Sequence, residues 1–203
     1  MWARPPNWLG VFKHAAIALL LGTVLTGCGD RPSASATSSG SSAAVVADAA
    51  SGLLWLRCAI GQSWQEGRCA GEARTFGFMD AQAQVNRLNA ERHEGIDRWR
   101  LPTIAELAAL RRCDHGFATE TFTLALMAGE APVTVPRWCA GDNTLPAIDT
   151  DRFPDTPSVK FWSGSGNEAQ QTFYAVDFAS AWIGLNEDDK SQHAVRPVAD
   201  PPR

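Results

Sequence analysis

The sequence predicts an α+β domain behind an export leader. Two segments with apolar residues at helical spacing lie near residues 78–93 and 103–113. Several short strand-like segments follow between residues 161 and 198. Helices that combine with antiparallel strands in one domain are typical of the α+β class. Four cysteines in the same region predict two disulfides that staple the domain.

The chain opens with a leader that looks like a bacterial lipoprotein signal. A positively charged start precedes an apolar run over residues 15–25, which is shorter than the roughly 20 residues that a membrane-spanning helix needs. Residues 25–28, Leu-Thr-Gly-Cys, resemble a lipobox. We therefore predict that residues 1–27 are a lipoprotein signal peptide and that Cys28 becomes the acylated first residue. The alternatives are an apolar helix packed on the domain and cleavage without lipid.

Acylation of Cys28 would determine the cellular location of the protein. Acyl chains contribute about 0.8 kcal/mol per buried CH₂, so several chains hold a protein on a bilayer. By resemblance to bacterial sorting rules, an aspartate directly after the cysteine favours the inner membrane, but here Gly29 takes that place and Asp30 follows. The sequence thus predicts a membrane-anchored bacterial lipoprotein, with the outer membrane favoured.

Composition divides the mature chain into a tether and a domain. Residues 28–50 carry the lipidated cysteine followed by Ser, Ala, Gly and Thr with little else. Such a composition cannot bury enough apolar surface to offset chain ordering, so it predicts a flexible tether. Residues 51–203 have the size of one domain and hold six of the eight tryptophans, which is ample material for a core.

The net charge of the mature chain argues against one class of binding partner. Removal of the leader takes away Arg4 and Lys13 and no acid, which moves the net charge from −4 to −6. General nucleic-acid binding depends on cations that neutralise phosphates. We therefore expect no nucleic-acid partner.

Four cysteines remain once Cys28 is set aside. Outside the cytosol an even set predicts two disulfides, for which three pairings are possible. Cys58–Cys69 and Cys113–Cys139 are favoured because the members of each pair are close in sequence. A metal site is the alternative, but the spacings are not CxxC and no His pair lies nearby, so we expect no metal.

The first half of the domain carries clear local patterns. Residues 51–58 predict a strand, and the glycines that follow predict a cysteine-stapled hairpin. Apolar residues from Phe78 to Leu88 recur at helical spacing and predict an amphipathic helix that ends near His93.

A second helix has a sharper start. Thr103 and Glu106 form a T-x-x-E capping box, in which each side chain satisfies a free backbone N–H of the other residue. We predict a helix from this box to about Cys113, and we favour this structural role of Glu106 over a catalytic one.

Between residues 114 and 160 the patterns weaken. Residues 121–127 fit either a short helix or a short strand, and prolines interrupt much of the rest. Because Cys139 would tie the segment down, we predict a long irregular loop that is ordered.

Strand patterns return in the last part of the chain. A tight turn is predicted at residues 179–181 and a polar hairpin loop at residues 186–190. Pro197 restricts the last strand to a sheet edge or a strand end. The predicted strands cover residues 161–165, 173–178, 182–185 and 194–198.

The order of these segments resembles the Lcl C-terminal domain family over nearly all of residues 51–199. The resemblance implies a C-type lectin-like fold, similar also to formylglycine-generating-enzyme-like folds, in which two helices flank small antiparallel sheets beside a long irregular loop region. The matching segments are Gly-Leu-Leu-Trp at 52–55, Trp-Arg-Leu-Pro-Thr-Ile-Ala-Glu-Leu at 99–107, Phe-Trp-Ser-Gly-Ser at 161–165, Tyr-Ala-Val-Asp-Phe at 174–178 and Val-Arg-Pro-Val at 195–198.

The resemblance further implies surface exposure and binding of glycans, including sulfated polysaccharides. The chain departs from that pattern because it has no collagen-like Gly-X-Y repeat and is acidic. It lacks the Glu-Pro-Asn, Gln-Pro-Asp and Trp-Asn-Asp sequences of calcium-dependent lectins, and no cysteine follows Cys139 as the copper-dependent oxidase relatives require. We therefore expect no calcium, no copper and no other cofactor.

The first hypothesis for function is an adhesin-like module that binds a glycan or a protein from its lipid tether. The long loop would supply one aromatic platform with polar groups around it, although a buried structural tryptophan fits the same residues. The candidate ligand-binding residues are Arg137, Trp138, Asp142, Asn143, Asp149 and Asp151.

Two alternatives remain open at this point. One is a structural or assembly lipoprotein of the envelope with no small ligand. The other is an enzyme that uses Glu106, His115, Asp177 or His193. No spacing in the sequence brings a nucleophile, a base and an orienting group together, so we expect no catalytic activity.

Overall fold

The computed structural model of the protein describes residues 43–124 and 131–201. The predicted signal peptide, Cys28, most of the predicted tether and residues 125–127 of the segment read as helix or strand lie outside these residues. The helices are α1, Phe78–Ala90, and α2, Ile104–Ala109. The strands are β1 Val45–Ala47, β2 Leu54–Leu56, β3 Ser63–Gln65, β4 Arg68–Ala70, β5 Thr75–Phe76, β6 Trp99–Arg100, β7 Thr121–Leu124, β8 Val133–Pro136, β9 Lys160–Asn167, β10 Thr172–Asp177, β11 Trp182–Asp188, β12 His193–Ala194 and β13 Val198–Ala199.

A five-stranded sheet forms the centre of the domain. Its strand order is β11-β10-β9-β12-β5, and every pair is antiparallel except β12 with β9. Neighbouring side chains of a strand point to opposite faces, and here both faces are buried. In β9, Phe161 belongs to one apolar cluster and Trp162 to the other. The sheet therefore serves as a wall between two cores.

Helix α1 covers one face of this wall. Phe78, at the first turn of the helix, stacks on Phe173 and meets Trp162 edge-on, with ring centroids 5.6 Å apart. Ala81 and Val85 continue the same buried face. The predicted helix is confirmed, but it ends at Ala90, ahead of a left-handed residue at Arg92 (φ 48°), rather than near His93.

Helix α2 covers the opposite face. Its buried residues Ile104 and Leu107 belong to the same cluster as Phe161, Val176 and Phe178 of the sheet. The capping box at its start is confirmed. The helix ends at Ala109 rather than near Cys113 because the next residues turn away to form a β-bridge between Arg111 and Ile148.

A four-stranded antiparallel sheet contains both β1, the first strand, and β13, the last strand of the described chain. Its order is β1-β2-β13-β6, and Val198 of β13 lies opposite both Trp55 and Arg100. Strand β1 pairs with β2 over three residues. Within residues 28–50, the predicted tether, Val45–Ala47 form this strand, and Val45 and Val46 are half-buried. In the described chain, strand structure is therefore present ahead of residue 51, the predicted start of the domain.

The segment predicted as an irregular loop contains a hairpin. Residues 121–124 form a strand, not a helix, and pair with β8. From Arg137 to Val159 no further strand is present in the described chain, and that stretch is an ordered loop as predicted. Strand β11 also runs to Asp188, so that the polar hairpin loop predicted at residues 186–190 starts later than expected.

Both favoured disulfides are present. Cys58 pairs with Cys69 across the β3–β4 hairpin, and Cys113 pairs with Cys139, with Cα–Cα distances of 5.4 and 5.2 Å. The α+β class with two helices, small antiparallel sheets and two disulfides is thus confirmed. Over residues 43–124 and 131–201, no helix is long and apolar enough to cross a membrane.

The capping box is reinforced by charge. Both carboxylate oxygens of Glu106 accept hydrogen bonds of 2.8 Å from Arg100, and one also accepts the backbone N–H of Thr103. Burial by itself would raise the pKa of Glu106, but these hydrogen bonds outweigh it and hold the pKa below its usual value. The ionised form of Glu106 therefore stabilises the fold.

Glu106→Gln is expected to lower the free energy of unfolding by about 1–2 kcal/mol at neutral pH, because the amide cannot hold both charged bonds from Arg100. Since the folded-state pKa is depressed, the contribution is complete above the unfolded value of about 4.3 and is lost as the pH falls through the folded value. Urea unfolding at a series of pH values should show the deficit shrinking on acidification. Glu91→Gln, an exposed change, is the control; a deficit that stays constant with pH would contradict the prediction.

Candidate functional site

Two tryptophans from distant parts of the chain stack on the surface of the domain. Trp138 follows β8, and Trp182 is the first residue of β11. Their ring centroids are 4.7 Å apart and the planes differ by 14°. Trp182 is 41% exposed, whereas Trp138 is half-buried. The pair therefore offers an aromatic surface to solvent.

Arg137 packs beside the pair. Its guanidinium carbon lies 4.8 Å from the Trp138 ring, 5.7 Å from Trp182 and 4.3 Å from Phe122. A guanidinium this close to aromatic rings is attracted by their quadrupoles. Within the described chain Arg137 forms no ion pair, and its Nε is buried without a hydrogen bond. Arg137 thus holds the two rings together.

An open cleft of about 400 Å³ lies against the tryptophan pair. This volume lies within the range of about 300–1,000 Å³ that is usual for ligand pockets. We call it the tryptophan cleft. Its lining residues are Trp138, Cys139, Gly141, Asp142, Asn143, Leu145, Ala179, Ser180 and Trp182.

Arg111 anchors the backbone beneath both tryptophans. Its side chain is buried and its Nη2 donates to the carbonyl oxygen of Pro136 at 2.8 Å. Its Nη1 donates to Ala181 at 2.8 Å and, more weakly, to Arg137 at 3.4 Å. The carbonyls of Pro136 and Arg137 belong to the two residues before Trp138, and the carbonyl of Ala181 belongs to the residue before Trp182. Burial lowers the pKa of Arg111 to about 10, so the guanidinium keeps its charge at neutral pH.

A tight turn presents Trp182. Asp177 accepts the backbone N–H of Ala179 at 2.8 Å and the hydroxyl of Ser180 at 2.9 Å. Ala181 then adopts a left-handed conformation with φ 58°. Non-glycine residues persist in that region only where the surroundings hold them, and here Arg111 binds the Ala181 carbonyl.

The other wall of the cleft is braced by its own polar groups. Asn143 donates to the carbonyls of Ala140 and Gly141 and accepts the N–H of Asp114. Asp114 in turn accepts the N–H of Thr144 at 2.6 Å, and that hydrogen bond lowers the pKa of Asp114. Together with the disulfide at Cys139, these bonds fix the loop that carries Trp138.

The six predicted site residues do not form one site. Trp138, Asp142 and Asn143 line the cleft, and Arg137 supports it from the side. Asp149 instead caps a turn by accepting the N–H groups of Asp151 and Arg152, outside the cleft lining. Asp149 and Asp151 are not among the residues that line the cleft, since the loop passes through Ala147, which is buried beside the sheet, before it reaches them.

Trp182 is the residue of the candidate site that the sequence did not reveal. It was read as part of a strand, which is correct, but a strand's first residue at a sheet edge can face solvent. The available signal was the predicted turn at residues 179–181, which places position 182 at the end of the sheet. Ser180 and Leu145 were missed with it.

A second cavity of about 450 Å³ lies elsewhere, between the β3–β4 hairpin and the end of α1. Its aromatic side chain, Trp64, already packs against the guanidinium of Arg57, 5.2 Å from the ring centroid. The tryptophan cleft is the better candidate because two stacked indole rings meet there and one of them, Trp182, is exposed, whereas Trp64 is half-buried.

The acids and bases considered for catalysis are separate. Glu106 is bound to Arg100, Asp177 holds its own turn, and His193 contacts Glu187 at 3.1 Å. Among the described residues none of the four candidates hydrogen-bonds another, and no group of three or more His, Cys, Asp or Glu is placed to hold a metal ion.

Comparison with known proteins gives one match. The model of the Lcl C-terminal domain matches residues 44–199, which starts one residue before β1 and ends at the last residue of β13. No curated protein and no solved structure matches the chain.

Proposed function

Because the chain belongs to the Lcl C-terminal domain family, we propose that it is a non-catalytic binding module of the bacterial cell envelope, with a C-type lectin-like fold. The ligand is a glycan or a protein, and the tryptophan cleft binds it. The observation that carries this proposal is the stacked Trp138–Trp182 pair, whose outer ring is 41% exposed beside a cleft.

The exposure of Trp182 is consistent with a binding surface. Tryptophan is a large apolar side chain that is mostly covered in folded proteins, and aromatic residues dominate binding energies where a partner covers them. Arg111, Asp177 and the Cys113–Cys139 disulfide all fix the backbone around the pair. A preorganised aromatic surface loses little conformational entropy when a ligand binds.

Trp182→Ala is expected to weaken ligand binding at least about tenfold, because the exposed ring supplies most of the contact area. The loss of unfolding free energy should stay below about 2 kcal/mol, since the ring is partly exposed. The measurement is binding of the purified full chain to an array of immobilised glycans, with thermal unfolding alongside. Trp182 is a sharper probe than the half-buried Trp138.

Trp64→Ala is the matched control, since it removes a tryptophan from a different surface and should leave binding unchanged. Equal loss of binding in both variants would contradict the assignment of the site. An array without any bound glycan, together with an envelope protein that co-purifies with the wild type and not with Trp182→Ala, would instead identify a protein ligand.

The anchor is the second part of the proposal. Lipid on Cys28 would hold the domain on the bacterial outer membrane through the residues that connect Cys28 to β1. Cells fed labelled palmitate should incorporate label into the wild-type protein and not into Cys28→Ala, which should leave the membrane fraction. An unlabelled wild-type protein would overturn the anchor and leave the binding module untouched.

A further inference from the structure

The charges around the tryptophan cleft limit what can enter it. Asp142 is the one ionisable side chain among the residues that line the cleft. It is exposed, and it accepts no hydrogen bond from the described residues. An anionic ligand would have to approach this carboxylate and would be repelled.

A cationic ligand is disfavoured by Arg137. The guanidinium of Arg137 lies 4.8 and 5.7 Å from the two indole rings, so it already uses their attraction for cations. A second cation placed on the exposed face of Trp182 would be close to Arg137 and repelled by it. Because Asp142 and Arg137 carry opposite charges that offset each other, the cleft attracts neither anions nor cations strongly and favours a ligand without net charge.

Apart from the indole N–H groups of Trp138 and Trp182, the polar side chains of the lining offer acceptors to a ligand. The carboxylate of Asp142 can only accept, and the hydroxyl of Ser180 has its proton committed to Asp177. The amide N–H₂ of Asn143 is committed to the carbonyls of Ala140 and Gly141. Asp142 and Ser180 therefore favour a ligand with O–H or N–H donors, while the two indole N–H groups remain donors for its oxygen atoms.

These three requirements describe one class of molecule. We propose that the tryptophan cleft, if it is the binding site argued above, takes a neutral pyranose. The apolar C–H face of the sugar covers Trp182, and its hydroxyls donate to Asp142 and Ser180. Sulfated and uronic sugars are disfavoured because their anionic groups would be repelled by the carboxylate of Asp142.

The test compares neutral oligosaccharides of glucose, galactose, mannose and N-acetylglucosamine with heparin oligosaccharides on the full chain. Neutral sugars should bind, and their Kd should change less than about twofold between roughly 0.05 and 0.5 M NaCl, because no ionic contact is screened. Asp142→Asn should weaken binding about tenfold, since a charged acceptor becomes a neutral one. Asp151→Asn, a carboxylate outside the cleft, should leave it unchanged.

Asp142→Lys completes the design, because reversing the charge should admit heparin oligosaccharides that the wild type rejects. Binding of only sulfated or uronic sugars by the wild type, dependent on Trp182 and steeply weakened by salt, would overturn the neutral ligand and keep the binding module. Failure of every saccharide to bind would also overturn it, and a Trp182-dependent protein partner would then be the surviving form of the proposed function.

Discussion

Replacing Arg196 by methionine is expected to cost about 3 kcal/mol of unfolding free energy, which corresponds to a fall in Tm of about 6–12 °C. The side chain is fully buried. Its Nη1 donates to the carbonyl oxygens of Leu56 and Arg57, and its Nη2 donates to the hydroxyl of Thr156 at 2.8 Å. Methionine fills much of the volume but leaves these buried acceptors without a donor.

The aromatic surroundings of Arg196 add to the loss. Its guanidinium carbon lies 4.7 Å from the ring of Phe153 and 5.5 Å from that of Phe161. No carboxylate is among its described partners, so carbonyl dipoles and ring faces stabilise the charge. Burial lowers the pKa of Arg196 to about 9, which leaves the side chain cationic at neutral pH.

Arg196→Lys separates geometry from charge. Lysine keeps the positive charge but cannot direct a fork of N–H groups at Leu56, Arg57 and Thr156, so we expect a loss at least as large as for methionine. Denaturant unfolding with the disulfides intact measures both variants, and Arg87→Met, an exposed arginine on α1, is the control. A methionine variant as stable as the wild type would show that the cost of burying the charge cancels the bonds it makes.

Elements whose determinants are close in sequence could be predicted. The capping box at Thr103 and Glu106 places both partners within one helical turn, and the periodic face of α1 is a local pattern as well. The disulfide partners were also near each other, 11 and 26 residues apart. In each case both members of the interaction are close in sequence, at a spacing that is typical of that interaction.

Elements that depend on distant partners could not be predicted. Val45 and Val46 sit in a Ser/Ala-rich stretch and show no periodicity, and they form β1 only because Leu56 and Trp55 are there to pair with them. The β7–β8 hairpin likewise needs its second strand, which follows Pro132 and ends at Pro136, and prolines argue against regular strand structure. The composition of a segment indicates how much apolar surface it can bury by itself. It does not show whether a distant strand will pair with it.

The candidate site shows the same division. The sequence singles out Trp138 as an aromatic platform among polar groups of the long loop, but its partner Trp182 is on another strand, 44 residues further along the chain. Asp149 was grouped with the site by chain proximity, and the loop fold separates them. The chemistry of the loop was visible in the sequence, whereas the geometry that selects among its residues depends on Arg111.

Arg111→Met is expected to weaken ligand binding at least about tenfold and to cost about 2–4 kcal/mol of unfolding free energy. The buried guanidinium binds the carbonyls of Pro136 and Ala181 at 2.8 Å each, which fixes the backbone beside Trp138 and beside Trp182 at once. Without it nothing else in the described chain ties both carbonyls to one group. The two indoles should then lose their stacked arrangement.

The exciton signal of the stacked indoles in circular dichroism separates positioning from simple stability, because it reports the Trp138–Trp182 geometry while the domain is still folded. We expect Arg111→Met to lose this signal as Trp182→Ala does, under conditions where denaturant curves show both variants folded. Arg112→Met is the matched control: its side chain is 64% exposed and 3.8 Å from Asp149, a surface pair worth about 0–1 kcal/mol. If Arg111→Met is destabilised but retains both the exciton signal and binding, then Arg111 supports the domain and the tryptophans are positioned by the disulfide and the Asp177 turn.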